Sequence, residues 1–182
     1  MNLELESKLC QKYPTIFRDR IKSPQESCMA FGIECGDGWY TAIDRLCECL
    51  SSLYSTWISV GEDSFQLDAP IVIADQIKEK FGGLRFYYHT ELTENCRALY
   101  DKYKDNPEFM KKYTEASLGY SYYIDGAITM AETMCSRTCE NTGREGVLHV
   151  SESGWYRTLN TEFAKTEQHY INRGFRPYEQ AQ

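Results

Sequence analysis

Residues 68–91 read DAPIVIADQIKEKFGGLRFYYHTE, and two local folds compete for them. As a helix, Asp68 is the N-cap, Pro70 sits in the first turn and Gly82 ends the run. Ile71, Ala74, Ile77 and Phe81 then share one inward face, because they recur at every third or fourth residue. As a hairpin, the same stretch is two strands turning at Gly82–Gly83. The spacing favours the helix, followed by an aromatic strand over Leu84–Tyr88, LRFYY.

Upstream, Leu3–Tyr13 reads as a short helix stopped by Pro14. Ser27–Cys35 reads as a strand and Gly36–Gly38 as a turn, with Asp37 placed to cap the next helix. From Trp39, the residues Ile43, Leu46, Cys47, Leu50, Tyr54 and Trp57 keep helical spacing, and GEDSFQLD (61–68) then reads as a loop. Downstream, Thr93–Lys104 and Pro107–Leu118 carry helix formers, the second with Asn106 as cap. Ile124–Thr138 has Ile124, Ala127, Ile128, Ala131, Met134 and Cys135 on one face. GVLHV and WYRTL then predict two short antiparallel strands, and Glu162–Asn172 a last helix. The expected class is α+β: one compact domain of several helices around a small antiparallel sheet. Its expected division is a main part over 1–138 and a hairpin with its helix over 139–182.

A chain of 182 residues with 14% aromatics is long enough to bury a core and is not of disordered composition. No apolar run reaches the roughly 20 residues of a membrane span. The acidic, amphipathic start has no signal-peptide core, so a cytoplasmic protein is expected. Its 8 cysteines, with no repeated C-x-x-C, then read as reduced thiols.

Charge is unevenly placed. Between Pro24 and Ile77 stand Glu26, Glu34, Asp37, Asp44, Glu48, Glu62, Asp63, Asp68 and Asp75 against the single base Arg45. Such a segment is either a solvated acidic face or a surface for a cationic partner. We take Glu26, Glu34, Asp37, Asp44, Glu48, Glu62 and Asp63 as candidate partner-binding residues. Lys78, Lys80, Arg85 and Tyr87, around the Gly-Gly break, are candidates for holding an anion or stacking a base. The segment lacks the Lys-Ser/Thr of a P-loop. A thiol couple of Cys28 or Cys35 with His89 is the weaker chemical alternative, since a lone Cys near a strand is usually a small core residue. No catalytic residue, cofactor or metal is expected.

ESCMAFGIECGDGWY (26–40), ADQIKEKFGGLRFYY (74–88), AITMAETMCSRTCENTG (127–143) and GWYRTL (154–159) resemble, in this order, a widespread family of small proteins carried by phages, prophages and gut bacteria. The resemblance runs from about Tyr13 to about Phe163. At least one protein of this size and type is identified as a type II anti-CRISPR inhibitor. Many members read C-E-x-C-G and then W-x-x-T-L-C-x-x-H, which looks like a small zinc ribbon. Here Cys139 keeps the first position, but Thr142, Asn160 and Phe163 stand at the other three. Those side chains cannot complete a tetrahedral zinc site, so the resemblance implies a ribbon without metal. Cys135, Cys139 and His149 are the residues from which a rebuilt site would come.

The resemblance implies an inhibitor carried by a mobile element and acting in a bacterial host. Its expected partner is the RNA-guided DNA nuclease of type II CRISPR systems, with contact to DNA beside it and none to a membrane. Such a nuclease holds nucleic acid in cationic channels, which an acidic surface fits. The alternative is an accessory protein of phage origin that binds a small molecule, a nucleotide or nucleic acid, using the Gly-Gly segment and its aromatics.

Overall fold

The computed structural model describes residues 1–179 as a mixed α+β chain. Helix α1 (Leu3–Lys12) starts at Asn2, whose side chain accepts from the Leu5 amide. Two 3-10 turns come next, Arg18–Ile21 and Cys28–Phe31. The second shortens the predicted strand of 27–35 to β1 (Ile33–Glu34), because Ser27 caps a turn there by accepting from the Met29 amide. Asp37 does not cap the next helix. It lies in a further 3-10 turn (Asp37–Trp39), and its carboxylate accepts from the backbone and side chain of Asn2 at 2.7 Å.

Helix α2 (Tyr40–Ser51) buries Ala42, Ile43, Leu46, Cys47 and Leu50. It stops short of the predicted Trp57. Strands β2 (Thr56–Val60) and β3 (Asp63–Leu67) pair as an antiparallel hairpin in place of the expected loop. The β-branched Thr56, Ile58 and Val60 alternate with Trp57 and Ser59, so Ile58 and Val60 turn inward and Trp57 outward.

Residues 71–80 are a strand, β4 (Ile71–Lys80), which pairs antiparallel with β5 (Gly83–Glu91). The helix predicted there is therefore corrected to the rival hairpin. Its misleading spacing has a physical origin: a bulge falls between Ala74 and Gln76, leaving Asp75 unpaired. Val72 and Ala74 reach the core before the bulge and Ile77 after it, so the strand period of two is interrupted by a step of three. The turn is Phe81–Gly82, both with positive φ (55° and 78°), between the paired Lys80 and Gly83. Strand β1 adds in parallel to β4, so this sheet is mixed in order β1-β4-β5. Asp68 accepts from Thr93 and Ser55 hydroxyls and caps nothing at β4.

Thr93 caps α3 (Glu94–Tyr103) and Asn106 caps α4 (Pro107–Cys135). The two helices predicted over 107–138 are one, 29 residues long, running through Gly119 and Gly126. Strands β6 (Val147–Val150) and β7 (Tyr156–Leu159) form the predicted hairpin. The predicted last helix is split into α5 (Thr161–Thr166) and α6 (Gln168–Asn172), and β8 (Arg176–Pro177) adds to β6. Among the described residues no helix is long and apolar enough to cross a membrane.

The largest core joins α1, α2, α4 and the inner face of β1-β4-β5, with Trp39 fully buried. Cys135 belongs to it, whereas Cys139 belongs to a small separate cluster with Leu159, Ala164 and Tyr170.

The two parts are joined by close backbone contact. Gly38 donates to the Glu140 carbonyl at 2.7 Å, Gly36 to the Glu140 carboxylate at 2.9 Å, and the Trp39 indole to the Thr138 carbonyl at 2.7 Å. A Cβ on Gly38 would overlap the carbonyl of Cys139. Gly38→Ala is therefore expected to destabilise the protein by about 3 kcal/mol, the upper end for overpacking. Urea unfolding checks it, and a loss below about 1 kcal/mol would contradict so tight a joint.

Candidate functional site

Strand pairing assembles the predicted basic residues. Lys78 lies opposite Arg85, Gln76 opposite Tyr87, and Glu34 of β1 beside Lys78. Alternation puts these side chains on the outer face of the sheet, away from Ile77 and Phe86. The Lys78 ammonium donates to Gln76 at 2.7 Å and lies 5.4 Å from the Tyr87 ring centre. Lys80 lies 5.5 Å from the ring of Phe81, which is 70% exposed at the turn. A basic strip with aromatic faces suits a phosphate backbone and stacked bases. Two acids temper it, since Glu34 shares the row and Glu132 stands 3.6 Å from Arg85.

Most of the predicted acidic residues have a partner within the chain. Asp44 accepts from Lys12 and Tyr13, and the ammonium and phenol hold its carboxyl below the usual range although partial burial opposes them. Glu48 pairs with Arg45 at 2.6 Å, and Asp37 is engaged by Asn2. Glu26 accepts from Ser23, and Glu34 from Gln76. Glu62 and Asp63 stand exposed at the tip of the β2–β3 hairpin. Glu26, Glu34 and Glu48 are exposed as well, each beside a surface partner, whereas Asp37 and Asp44 are partly buried.

Sequence reasoning missed the outer face of α4. Leu118, Tyr122, Met130 and Met134 recur at multiples of four residues and are 48%, 73%, 63% and 49% exposed. Gly126 completes that ridge between Tyr122 and Met130. A groove of about 390 Å³ adjoins the helix, lined by Leu53, Tyr54, Ala116, Gly119, Tyr120 and Tyr123. Nothing lies within 4 Å of a Cβ built on Gly119 or Gly126. The signal was in the sequence: reading 107–138 as one helix puts the tyrosines and methionines outside the face of Ile124, Ile128 and Ala131.

Of the two thiols considered with His89, Cys28 is exposed and lines a shallow pocket with Asp75 and Tyr87. Cys35 is buried and its thiol is pushed up to about 12 by burial, so it is no nucleophile. The Nδ1 atom of His89 is held by Asp75 at 2.7 Å. Cys135 is likewise raised to about 12 by burial, and His149 bonds the Val147 carbonyl, so Cys135, Cys139 and His149 form no metal-ligating group among the described residues. The group that does come together is Asp19, Asp75 and His89. A smaller cavity of about 160 Å³ lies under α4, lined by Tyr88, Tyr113, Tyr120, Ser117 and Asp68 among others. Comparison with known proteins finds no match among protein-family models, curated proteins or solved structures.

A helix-interior glycine costs about 1 kcal/mol against alanine, and neither Gly119 nor Gly126 is required by a neighbour in this chain. Gly119→Ala and Gly126→Ala are each expected to stabilise the isolated protein by about 0.5–1 kcal/mol. Thermal and urea unfolding measure this; a loss of stability in both would mean that the glycines serve the fold.

Proposed function

We propose that the chain acts by binding rather than by chemistry, as a mobile-element inhibitor whose target is the RNA-guided nuclease of type II CRISPR systems. The observation that carries the binding part is the exposed aromatic and methionine ridge of α4 beside its groove. Contiguous apolar surface of this kind marks protein interfaces, and methionine adapts to the partner's shape. The two open glycines leave room for a partner's backbone to come close. The choice of target rests on the family resemblance. The exposed pair Glu62 and Asp63 supplies charge toward a cationic partner.

The test is capture of the nuclease–guide complex by the full chain, followed by binding kinetics. Tyr122→Ala with Met130→Ala is expected to weaken capture at least about tenfold, mainly through faster dissociation, as for apolar anchors. Glu62→Lys with Asp63→Lys is expected to slow association and flatten its salt dependence, as rim charges do. Absence of capture overturns the target. Capture that ignores both pairs of substitutions overturns the surface.

The second reading is nucleic-acid binding through Lys78, Arg85 and Tyr87, favoured by their common face. It is distinguished by single-stranded DNA binding without the nuclease, lost in Lys78→Ala with Arg85→Ala.

We further infer that the C-terminal part is a zinc-ribbon-like hairpin in which apolar packing replaces the ion. In support, Phe163 packs against the cluster of Cys139, Leu159, Ala164 and Tyr170. Asn160 caps the Phe163 amide at 3.1 Å and donates to the Glu145 carbonyl at 3.0 Å. Phe163→Ala is expected to cost about 2 kcal/mol, less than a fully buried phenylalanine because the residue is only partly buried. Thr142→Cys, Asn160→Cys and Phe163→Cys together are expected to add one bound zinc per chain relative to wild type. Elemental analysis showing no added zinc would exclude the ribbon geometry.

A further inference from the structure

Asp19 carries a carboxylate that the fold leaves half-used. The residue is 4% exposed, in the 3-10 turn after α1. Its Oδ2 accepts from Lys22 at 2.8 Å, while its Oδ1 is buried and has no hydrogen-bond partner. The Arg18 Nε atom is 3.7 Å from Oδ1, outside hydrogen-bond distance. A buried anionic oxygen without a partner is costly and calls for an explanation.

Two further ligand types stand beside it. Asp75 is the extra residue of the β4 bulge, and bulges characteristically re-aim one side chain. His89 sits on β5 opposite Ile73. Ligand atoms of Asp19, Asp75 and His89 all lie within 4.8 Å of one another. The Ala74 amide donates to the Ile16 carbonyl at 2.9 Å, which ties the segment before Asp19 to the strand at the bulge. The 3-10 turn and the β4–β5 hairpin therefore deliver two carboxylates and an imidazole to one place.

We propose that Asp19, Asp75 and His89 bind a divalent transition cation of the Mn²⁺, Fe²⁺ or Co²⁺ type. Carboxylates with imidazole suit such ions, whereas Ca²⁺ and Mg²⁺ prefer sites made of oxygen alone. The ion would take the Asp19 oxygen that has no donor and replace the hydrogen bond between Asp75 and His89 Nδ1. The other ring nitrogen, Nε2, faces Glu91 at 3.8 Å, as a ligating histidine commonly faces a carboxylate. The charged groups at the site are Asp19, Asp75 and Glu91, balanced in part by Lys22 on Asp19 and by Arg18, which pairs with Glu91. With neutral histidine this set carries one net negative charge, which a dication offsets. Bound there, the ion would pin the 3-10 turn to β4 and β5, a structural role independent of the α4 surface.

The probe is Mn²⁺ added to the full chain. It is hard enough to avoid capture by the free thiols, and its magnetic resonance spectrum reports a coordinated imidazole nitrogen. The expected result is one saturable site per chain, a raised melting temperature and a nitrogen coupling. Asp75→Asn and His89→Gln, both at half-exposed positions, are expected to fold and to weaken binding at least about tenfold, since even outer-shell losses cost 10–100-fold. His89→Gln also removes the nitrogen coupling, while His169→Gln leaves everything unchanged. Lys22→Ala is expected to tighten binding, because the ammonium competes for Asp19. The proposal is overturned if wild type shows no saturable site below about 1 mM, the weak end of biological cation sites, or if Asp75→Asn and His89→Gln bind as wild type does.

Discussion

Arg157 ties the largest core to the C-terminal cluster. Its guanidinium donates to both oxygens of Glu140 at 2.9 and 2.8 Å and lies 2.9 Å from Glu79. Glu140 is buried and starts the C-terminal part, Glu79 is on β4, and Arg157 is on β7. Burial works against the charge on Arg157, but Glu140 and Glu79 outweigh it and hold the guanidinium protonated. Burial raises the Glu79 carboxyl, opposed by the Gly82 amide and by Arg157. Two carboxylates around one guanidinium are worthwhile only with further donors, and the amides of Gly36 and Gly82 supply them. Removing Arg157 would leave Glu140 buried and short of a counter-charge.

The β4–β5 turn depends on that junction. The Gly82 carbonyl accepts from Thr158 at 2.6 Å, so the turn is docked on β7 beside the ion pair. This contact bears on the left-handed backbone at Phe81, a conformation rare for a bulky residue. With Gly82 fixed from below, the Phe81 ring is left to solvent at the end of the basic strip. The strip is thus presented by a turn whose strain is supported from the C-terminal part.

The elements with local signals were legible in the sequence. Asn2 and Asn106 mark the starts of α1 and α4, the apolar stripe marks α2, and β6 and β7 read from GVLHV and WYRTL. The failures have long-range causes. The bulge at Asp75 made a strand look helical, and Gly119 and Gly126 made one helix look like two. The β2–β3 hairpin was hidden because Tyr54 and Trp57, taken as helix core, are both exposed. Among the site residues, Lys78, Arg85 and Tyr87 are neighbours in sequence, and it is the strand register that puts them on one face. A count of acids along the chain cannot show that Asp44, Glu48 and Asp37 have partners within the chain.

Three features resist explanation by stability alone: the open helix glycines, the exposed tyrosines and methionines of α4, and the unsatisfied oxygen of Asp19. A chain optimised only to fold would place alanine at 119 and 126 and give Asp19 a second donor. Local rules are broken chiefly where a partner or ligand completes the structure. The breaks also differ in kind. On α4 the chain lacks apolar contact and leaves room for a backbone, which suits a protein surface. At Asp19 one buried oxygen has no donor although Lys22 holds the other, which suits an ion. The two readings rest on different side chains: the ion would tie the turn after α1 to β4 and β5, and the partner would cover Tyr122 and Met130.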